Sequence, residues 1–387
     1  MSLKSVLGLE ESRKVRYGFV ALGDITQESM LPGVSHTGNS EVTAFVTSDP
    51  EKAREVGRKY GVEHVYSYEQ YGDLLRSGQI DAVYVATPNW RHEEFVVPAL
   101  EAGIHVLVEK PLEIDVERAE RIVAAQRRSQ AKLMTAYRLH FEPATTRLVE
   151  RIRAGDLGEV LFFSSTFGLT VDPTNHRASS GVKAGPIYDM GPYPVNASRY
   201  VFEAEPEEVV SAVGTNHRTD LSGDEDFHDT VAVTLRFPGN RLAQFVLSYA
   251  LNAIDTFVAA GTRGSITLNP SYMFGAPLEH YTAIGESKGH DSFKSTDHFG
   301  GELRYFSECI LENRDPEPDA EEGLADVRVL DGIAEAVRTG GPVTLPPFTR
   351  TRRIDPAHAQ TLSAKKPPEL VNVSSPAAGK EKAAPAN

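Results

Sequence analysis

The first 138 residues alternate apolar runs of strand length with stretches whose apolar residues recur at helical spacing. The runs occupy residues 15–22, 41–46, 81–88, 105–111 and 131–138. Those at 81–88 and 105–111 are nearly continuous, which is typical of strands buried on both faces. A helix is predicted between Asp49, a capping residue followed by Pro50, and Gly61. The alternation predicts an α/β domain over residues 1–138, with a doubly wound parallel sheet.

The pattern changes after residue 138. Strands with short connections are predicted at residues 159–170, 208–215, 230–237, 241–250 and 256–269. Helices follow near 304–311 and 324–338, so residues 139–347 are expected to form an α+β domain on an open-faced, largely antiparallel sheet. Residues 365–387 are rich in Pro, Ala, Lys and Ser and are expected to be disordered.

Composition narrows the classes of function. Of the 387 residues, 40% are hydrophobic and 24% charged, which is ordinary for a globular protein, and the formal charge is −14. An acidic surface repels a phosphate backbone, so no nucleic-acid partner is expected. No apolar run approaches membrane-spanning length, and no signal peptide is recognised at the N-terminus. With a single cysteine, Cys309, we expect a cytoplasmic protein.

The end of the first predicted strand, VRYGFVALGDIT, raises the first chemical question. A dinucleotide-binding turn carries G-x-G-x-x-G, but here the three positions hold Ala21, Gly23 and Thr26. The middle glycine matters most because a Cβ there would block the pyrophosphate, and Gly23 retains it. If this turn binds a cofactor, Ala21, Gly23, Asp24 and Ile25 lie against it. The alternative is an ordinary strand followed by a glycine turn.

The second strand suggests which cofactor is bound. An acidic residue at the end of this strand would hydrogen-bond the ribose 2′-hydroxyl of NAD, but Thr47 and Ser48 occupy these positions. Asp49 comes late and is better explained as the helix cap. Hydroxyl groups together with Lys52 would accept a 2′-phosphate, which favours NADP and leaves NAD open.

Glu109, Lys110 and Pro111 end the predicted strand 105–111. Ligands of open α/β sheets bind outside the carboxyl ends of the strands, so this lysine is a candidate catalytic group. The alternative is a strand-end lysine that points into water.

An ordered series of motifs carries a resemblance over residues 15–346. ATPNWRHEE, HVLVEKPLE, AYRLHFEP and DLGEV together resemble the Gfo/Idh/MocA oxidoreductase family, and the later segments resemble its glucose–fructose oxidoreductase branch. The resemblance implies a Rossmann domain followed by an open-faced sheet, in agreement with the pattern above.

The same resemblance implies roles for individual residues. Thr87, Pro88, Asn89 and His92 match the loop beside the nicotinamide ribose. Glu109 and Lys110 match the Glu-Lys-Pro motif, whose lysine is catalytic or orients substrate and whose Lys-Pro peptide is usually cis. The pair that lines the substrate pocket is matched by Tyr137 and Arg138.

The second half of the site is expected within residues 184–202. Asp189 is kept from the family pattern, and Tyr193 stands where histidine is most frequent. On a helix these two residues would share a face, with Asp189 orienting the ring hydroxyls of a substrate. A phenol acts as a base when a nearby cation stabilises its phenolate, and Lys110 could supply that charge. The alternative is a structural tyrosine bonded to Asp189. His176 and His140 could touch substrate or be structural.

These residues predict an NAD(P)-dependent oxidoreductase that moves a hydride between a nicotinamide cofactor and a sugar or polyol. Two alternatives stay open: a cofactor-binding ligand sensor without turnover, and a dehydrogenase of a non-sugar cyclic diol. The histidine spacings predict no metal site. Because the open sheet face needs a cover, a homodimer or homotetramer is expected.

Overall fold

The computed structural model describes residues 13–366, 368–373 and 375–377. A six-stranded sheet with the order β3-β2-β1-β4-β5-β6 forms the first half, and all its strand pairs are parallel. Its strands are β1 (Val15–Val20), β2 (Ser40–Val46), β3 (His64–Tyr66), β4 (Ala82–Val85), β5 (His105–Glu109) and β6 (Leu133–Ala136). The order reverses between β1 and β4, which puts the ligand crevice of a doubly wound sheet at their carboxyl ends.

Helices connect these strands. They are α1 (Leu31–Thr37), α2 (Pro50–Tyr60), α3 (Tyr71–Arg76), α4 (His92–Glu101) and α5 (Val116–Arg128), and a π-helical turn at Thr26–Met30 leads into α1. As predicted, α2 begins at Asp49, whose side chain accepts hydrogen bonds from the amides of Glu51 and Lys52, and it ends at Gly61 with a φ of 69°. Glycine suits this left-handed position because it has no Cβ.

The second half is built on a nine-stranded sheet with the order β14-β13-β12-β11-β7-β10-β9-β8-β15. Its strands are β7 (Val160–Gly168), β8 (Glu208–Thr215), β9 (Thr230–Phe237), β10 (Arg241–Ser248), β11 (Ile254–Gly261), β12 (Gly264–Leu268), β13 (Glu279–Ile284), β14 (Ser287–Ser292) and β15 (Val343–Thr344). The sheet is antiparallel except where β7 pairs with β10. The predicted fold class is confirmed, with the predicted strand at 256–269 divided into β11 and β12.

The remaining helices cover one face of this sheet and return to the first. They are α6 (Pro143–Arg153), α7 (His176–Ser179), α8 (Pro186–Asp189), α9 (Pro192–Phe202), α10 (His298–Leu311) and α11 (Ala320–Thr339). Helix α10 packs on the first sheet, where Phe299, Leu303 and Phe306 share a core with Phe19 and Tyr84. The first sheet therefore completes its core with residues that follow the second sheet in the chain.

Helices α1 and α10 cross closely. A Cβ added at Gly33 would lie 2.9 Å from backbone atoms of Gly300, so both backbones meet at glycines. This contact fixes α10 against the helix that follows the first strand.

The outer face of the second sheet carries exposed apolar side chains. Val213 on β8 is 64% exposed and Tyr281 on β13 is 44% exposed. No helix of the described residues is long and apolar enough to cross a membrane.

The C-terminal segment differs from the expectation of disorder from residue 365. Residues 368–373 and 375–377 lie against both halves of the protein through hydrogen bonds described below. Low apolar content predicts few buried side chains, but here the backbone makes the contacts. Disorder was also expected for residues 378–387, which lie outside the described residues.

Candidate active site

The turn after β1 forms one end of a cavity of about 710 Å³ between the two halves. Ala21 has a φ of 74°, which gives the tight turn that glycine usually provides. The Thr26 hydroxyl donates to the Ala21 carbonyl at 3.0 Å, so its bulk folds back onto the turn. At Gly23 no atom lies within 4 Å of an added Cβ, and Asp24 and Ile25 also line the cavity. The turn leaves the space that a pyrophosphate needs.

The end of β2 forms the neighbouring wall. Thr47, Ser48 and Lys52 line the cavity. Thr47 is buried, and its hydroxyl accepts the amide hydrogen of Asp49 at 3.2 Å. One oxygen of the Asp49 carboxylate accepts the helix-capping amides. Hydroxyl groups and a lysine therefore face the position of a 2′-substituent, and these residues fit NADP.

The loop after β4 contributes Thr87, Pro88 and Asn89 to the cavity wall, but His92 lies behind it. The His92 ring is fully buried, with Nε2 3.1 Å from the Thr87 carbonyl oxygen and Nδ1 3.0 Å from that of Pro111. Burial lowers its pKa to about 4, so the ring is neutral. His92, which was predicted to bind the cofactor, does not line the cavity; its ring joins two loops that do.

Glu109 and Lys110 line the cavity at the end of β5, and the Lys110–Pro111 peptide is cis. The Lys110 Nζ donates to the backbone carbonyl of Asp189 at 2.8 Å, which links the two halves across the cavity. Burial raises the pKa of Glu109, although the Tyr84 hydroxyl donates to it at 2.7 Å and Lys110 lies beside it.

Tyr193 lies between two cations. The Lys110 Nζ is 4.6 Å from the centroid of its ring, and Arg138 Nη2 is 3.4 Å from its hydroxyl oxygen. Arg138 is buried beside His298, whose Nδ1 is 2.8 Å from Arg138 Nη1. Arg138 thus lies within hydrogen-bonding distance of the phenol oxygen, a place that the sequence suggested for Lys110.

Asp189 is held by groups that the sequence did not suggest. Its carboxylate accepts from Arg177 Nε at 2.9 Å and Nη2 at 3.1 Å, and from the Tyr249 hydroxyl at 3.0 Å. Burial would raise the pKa of Asp189, but Arg177 and Lys110 outweigh it and hold that pKa at about 2. A carboxylate in this state is a fixed negative charge and not a proton donor near neutral pH.

The helix that was expected to carry Asp189 and Tyr193 together is interrupted. Asp189 ends α8, and Tyr193 lies in the first turn of α9. A Cβ at Gly191 would lie 2.1 Å from the Ile187 carbonyl oxygen, so the break requires glycine. Both residues still line the cavity, as do His176 and His140. Burial lowers the pKa of His176, and His140 Nε2 lies 2.7 Å from the Asn196 side-chain oxygen.

Sequence reasoning missed several groups at the site. Arg177, Tyr249 and Tyr272 come from segments that carried no motif, and their places follow from packing across the sheet. Glu302 is buried on α10, and neither carboxyl oxygen has a hydrogen-bond partner among the described residues. Burial, and then Glu109, raise the pKa of Glu302 well above its usual range. The sequence signal that could have identified Glu302 was a single glutamate on the apolar face of a helix.

Comparison with known proteins adds independent findings. Residues 15–137 match the sequence profile of an oxidoreductase family with an NAD-binding Rossmann fold. Residues 145–267 match the Gfo/Idh/MocA C-terminal domain.

Individual relatives align over most of the chain. D-xylose 1-dehydrogenase (NADP(+)) of Haloarcula marismortui is 33% identical over 346 residues, which cover 86% of this chain and 93% of that protein. Trans-1,2-dihydrobenzene-1,2-diol dehydrogenase of Mus musculus is 28% identical, with coverage of 86% and 98%. The crystal structure of an aldose–aldose oxidoreductase from Caulobacter crescentus, complexed with glycerol, superposes with a TM-score of 0.80 at 30% identity. It covers 86% of this chain and 100% of its own.

Proposed function

The chain belongs to the Gfo/Idh/MocA oxidoreductase family, and from that membership we propose that Lys110 and Tyr193 carry out hydride exchange between NADP and an aldose. The chain is an NAD(P)-dependent dehydrogenase or reductase acting on CH–OH groups. The observation that carries the proposal is the 4.6 Å approach of the Lys110 amine to the Tyr193 ring in the cavity that reaches Gly23.

The cofactor half of the cavity fits NADP through its backbone and its charges. The amides after Gly23, at the start of the helical segment, suit the pyrophosphate. Ser48 and Lys52 would hold the 2′-phosphate, and Thr87, Pro88 and Asn89 would border the nicotinamide ribose. Bound NADP⁺ supplies the hydride acceptor for the oxidation.

Tyr193 is the proposed base. In the oxidative direction its phenolate takes the proton of the substrate hydroxyl, while the hydrogen on the same carbon leaves as hydride. Lys110 above the ring and Arg138 beside the oxygen supply the positive charge that stabilises a phenolate. Asp189 keeps Lys110 in place through its backbone carbonyl, and Arg177 balances the Asp189 carboxylate.

An aldose is favoured as substrate because two of the relatives are named for aldoses. Cyclic diols form the second candidate class, favoured by the diol dehydrogenase relative and by the aromatic wall of Phe167, Tyr193 and Phe274. A sugar needs more polar contacts than a flat diol, and Arg138, His176 and Asn196 are among the polar groups that line the cavity.

The test incubates purified protein with NADP⁺ and a panel of aldoses, inositols and cyclic diols, and follows the absorbance of NADPH. Turnover of an aldose, lost in both Lys110→Ala and Tyr193→Phe, supports the proposal. Tight NADP binding with no turnover on any compound would instead favour a ligand sensor. If Lys110→Ala kept full activity, the assigned roles would be wrong.

Self-association is proposed through the outer face of the second sheet, where exposed Val213 and Tyr281 lie. Sedimentation of the wild type and of Val213→Lys tests it, because a charge at the interface should shift a dimer or tetramer toward monomer. A cytoplasmic location is likewise proposed, supported by the single cysteine, and cell fractionation tests it.

A further inference from the structure

The C-terminal strap, residues 368–373 and 375–377, runs from the first half of the protein to the second. Before it, the chain is anchored by the amide of Gln360, which donates to the Phe141 carbonyl at 2.7 Å. The Leu362 carbonyl also accepts the amide hydrogen of Asp297 at 2.8 Å. The strap therefore starts from a fixed point beside the first sheet.

On the first half, the strap binds the cofactor turn itself. Gln27, directly after the turn, accepts the Val371 amide hydrogen at 2.9 Å and donates to the Val371 carbonyl at 3.0 Å. The same side-chain amide donates to the Leu22 carbonyl within the turn. The side-chain amide of Asn372 donates to the Glu51 carboxylate at 2.6 Å, beside the cap of α2. The strap is thus bonded to the residues around the proposed pyrophosphate and 2′-phosphate positions.

On the second half, the strap binds the loop after β7. The Asp172 amide donates to the Pro376 carbonyl at 3.0 Å, and Val171 forms an antiparallel bridge with Ala377. Buried Asn175 donates to the Ser375 carbonyl at 3.4 Å. This loop leads into α7, which carries Arg177.

The C-terminal end of the strap borders the cavity. Pro376 and Ala377 line it together with Gly23, Ser48 and Arg177. The strap spans from Val371 to Pro376, five residues that reach at most about 18 Å when extended. The two attachments of the strap therefore lie within about 18 Å of each other.

We propose that the C-terminal strap is part of the cofactor site and retains NADP, so that the nucleotide leaves only after the strap detaches from Gln27 or from the loop after β7. The inference rests on the proposed use of NADP. It adds a wall to the site from a segment whose composition predicted disorder.

The experiment measures NADPH release from the full-length chain by stopped-flow fluorescence after mixing with excess NADP⁺. One variant ends after Lys366 and loses the strap; a second, Val371→Pro, removes only the amide that Gln27 accepts. The matched control ends after Ala377 and keeps every described strap residue.

Removal of the strap should raise the release rate about tenfold or more, the change expected from losing one or two net hydrogen bonds. Val371→Pro should raise it about threefold, and the control should release NADPH at the wild-type rate. Equal release rates in all four proteins would overturn the proposal. A release rate that rises equally in the control would also overturn it, because the described strap is intact there.

The outcomes separate this inference from the proposed function. If the full-length chain binds no NADPH, the proposed function itself fails. If it binds NADPH and the strap variants release it at the wild-type rate, the inference alone fails. If the shortened chain does not fold, Val371→Pro decides the question, since it changes one backbone amide.

Discussion

Two clusters of charge lie close together in this protein, one partly buried beside the cavity and the other fully buried. The site cluster comprises Lys110, Arg138, Arg177, Asp189 and Tyr193, all of which line the cavity. The closed cluster comprises Arg199, Glu205, Glu322, Asp326 and Arg350, none of which is among the residues lining it.

Both clusters contain carboxyl groups with displaced pKa values. In the site cluster, Arg177 and Lys110 overcome burial and hold the pKa of Asp189 at about 2. In the closed cluster, burial raises the pKa of Asp326 despite Arg199, whereas Arg199 and Arg350 overcome burial to lower that of Glu322. A displaced pKa therefore does not by itself identify a reactive group. Access to the cavity distinguishes the site cluster from the closed one.

The largest expected effect is on catalysis and comes from the site cluster. Lys110→Ala should lower kcat roughly 10²- to 10⁴-fold, because it removes a cation beside the proposed base. Its effect on the free energy of unfolding should be about 1 kcal/mol, since one hydrogen bond is lost. Steady-state kinetics and urea unfolding measure the two. A large loss of stability with unchanged kcat would show that Lys110 has a structural role and not a catalytic one.

Arg199→Ala should show the opposite pattern. Arg199 bonds Glu205, Glu322 and Asp326 at distances of 2.7 to 3.0 Å. Its removal takes away the arginine partner of Asp326, which is fully buried, and should cost about 3–5 kcal/mol of stability. Urea unfolding measures the loss, and kcat/KM of the folded fraction should change little. A variant of wild-type stability would contradict the closed cluster as described.

His140 tests the link between the clusters. It lines the cavity, and it reaches Glu322 through Asn196. Burial lowers its pKa to about 4 from about 6.5, so the unfolded state binds more protons between these values. The free energy of unfolding should therefore fall as pH drops through this window, by up to about 1.4 kcal/mol per pH unit from this residue.

Urea unfolding across the window measures that slope, with His140→Gln as the control. The variant should lose the part of the slope that His140 contributes, and equal slopes would contradict a buried neutral ring.

Asp189 contributes to the free energy of unfolding in a different pH range. Its pKa is depressed, so its stabilisation persists at pH values above about 4 and is lost only toward about 2.

The smallest effect is expected at the rim of the cavity, where charge is partly exposed. Lys52→Ala should weaken NADP binding about fivefold, as expected for a solvated ion pair worth about 1 kcal/mol, and leave NAD binding unchanged. Equilibrium titration with both cofactors measures the ratio, and Arg58→Ala, which removes an exposed cation from the same helix, is the control. Equal weakening of both cofactors would assign Lys52 a structural role.

Much of the fold followed from local patterns. Buried strands such as β4 and β5 read as continuous apolar runs, and the cap at Asp49 marked the start of α2. Strand β14 could not be predicted from a local pattern. All six of its residues are exposed and polar or small, so no apolar alternation marked it. Strands β11 and β12, which are separated by Thr262 and Arg263, were predicted as one segment because both sides are apolar.

The site was predicted where motif and strand end coincide, as at Gly23 and Lys110. Arg177 was missed because its partner Asp189 lies twelve residues away, across a break that a helical pattern conceals. The position of Arg138 beside the Tyr193 hydroxyl depends on how two separate elements pack. Contacts of this kind have no local signature in one sequence.

Helix α10 has a consequence for motion. It follows the second sheet in the chain, yet its phenylalanines fill the core under β1, and Gly300 meets Gly33 backbone to backbone. Helix α11 packs into the cores of both halves, with Ala320 and Val327 in the first and Leu330 and Ile333 in the second, so opening the cleft would break apolar packing. The two sheets and the cleft between them are therefore expected to behave as one rigid body. A fragment that ends at residue 138 would be left with an unfilled core.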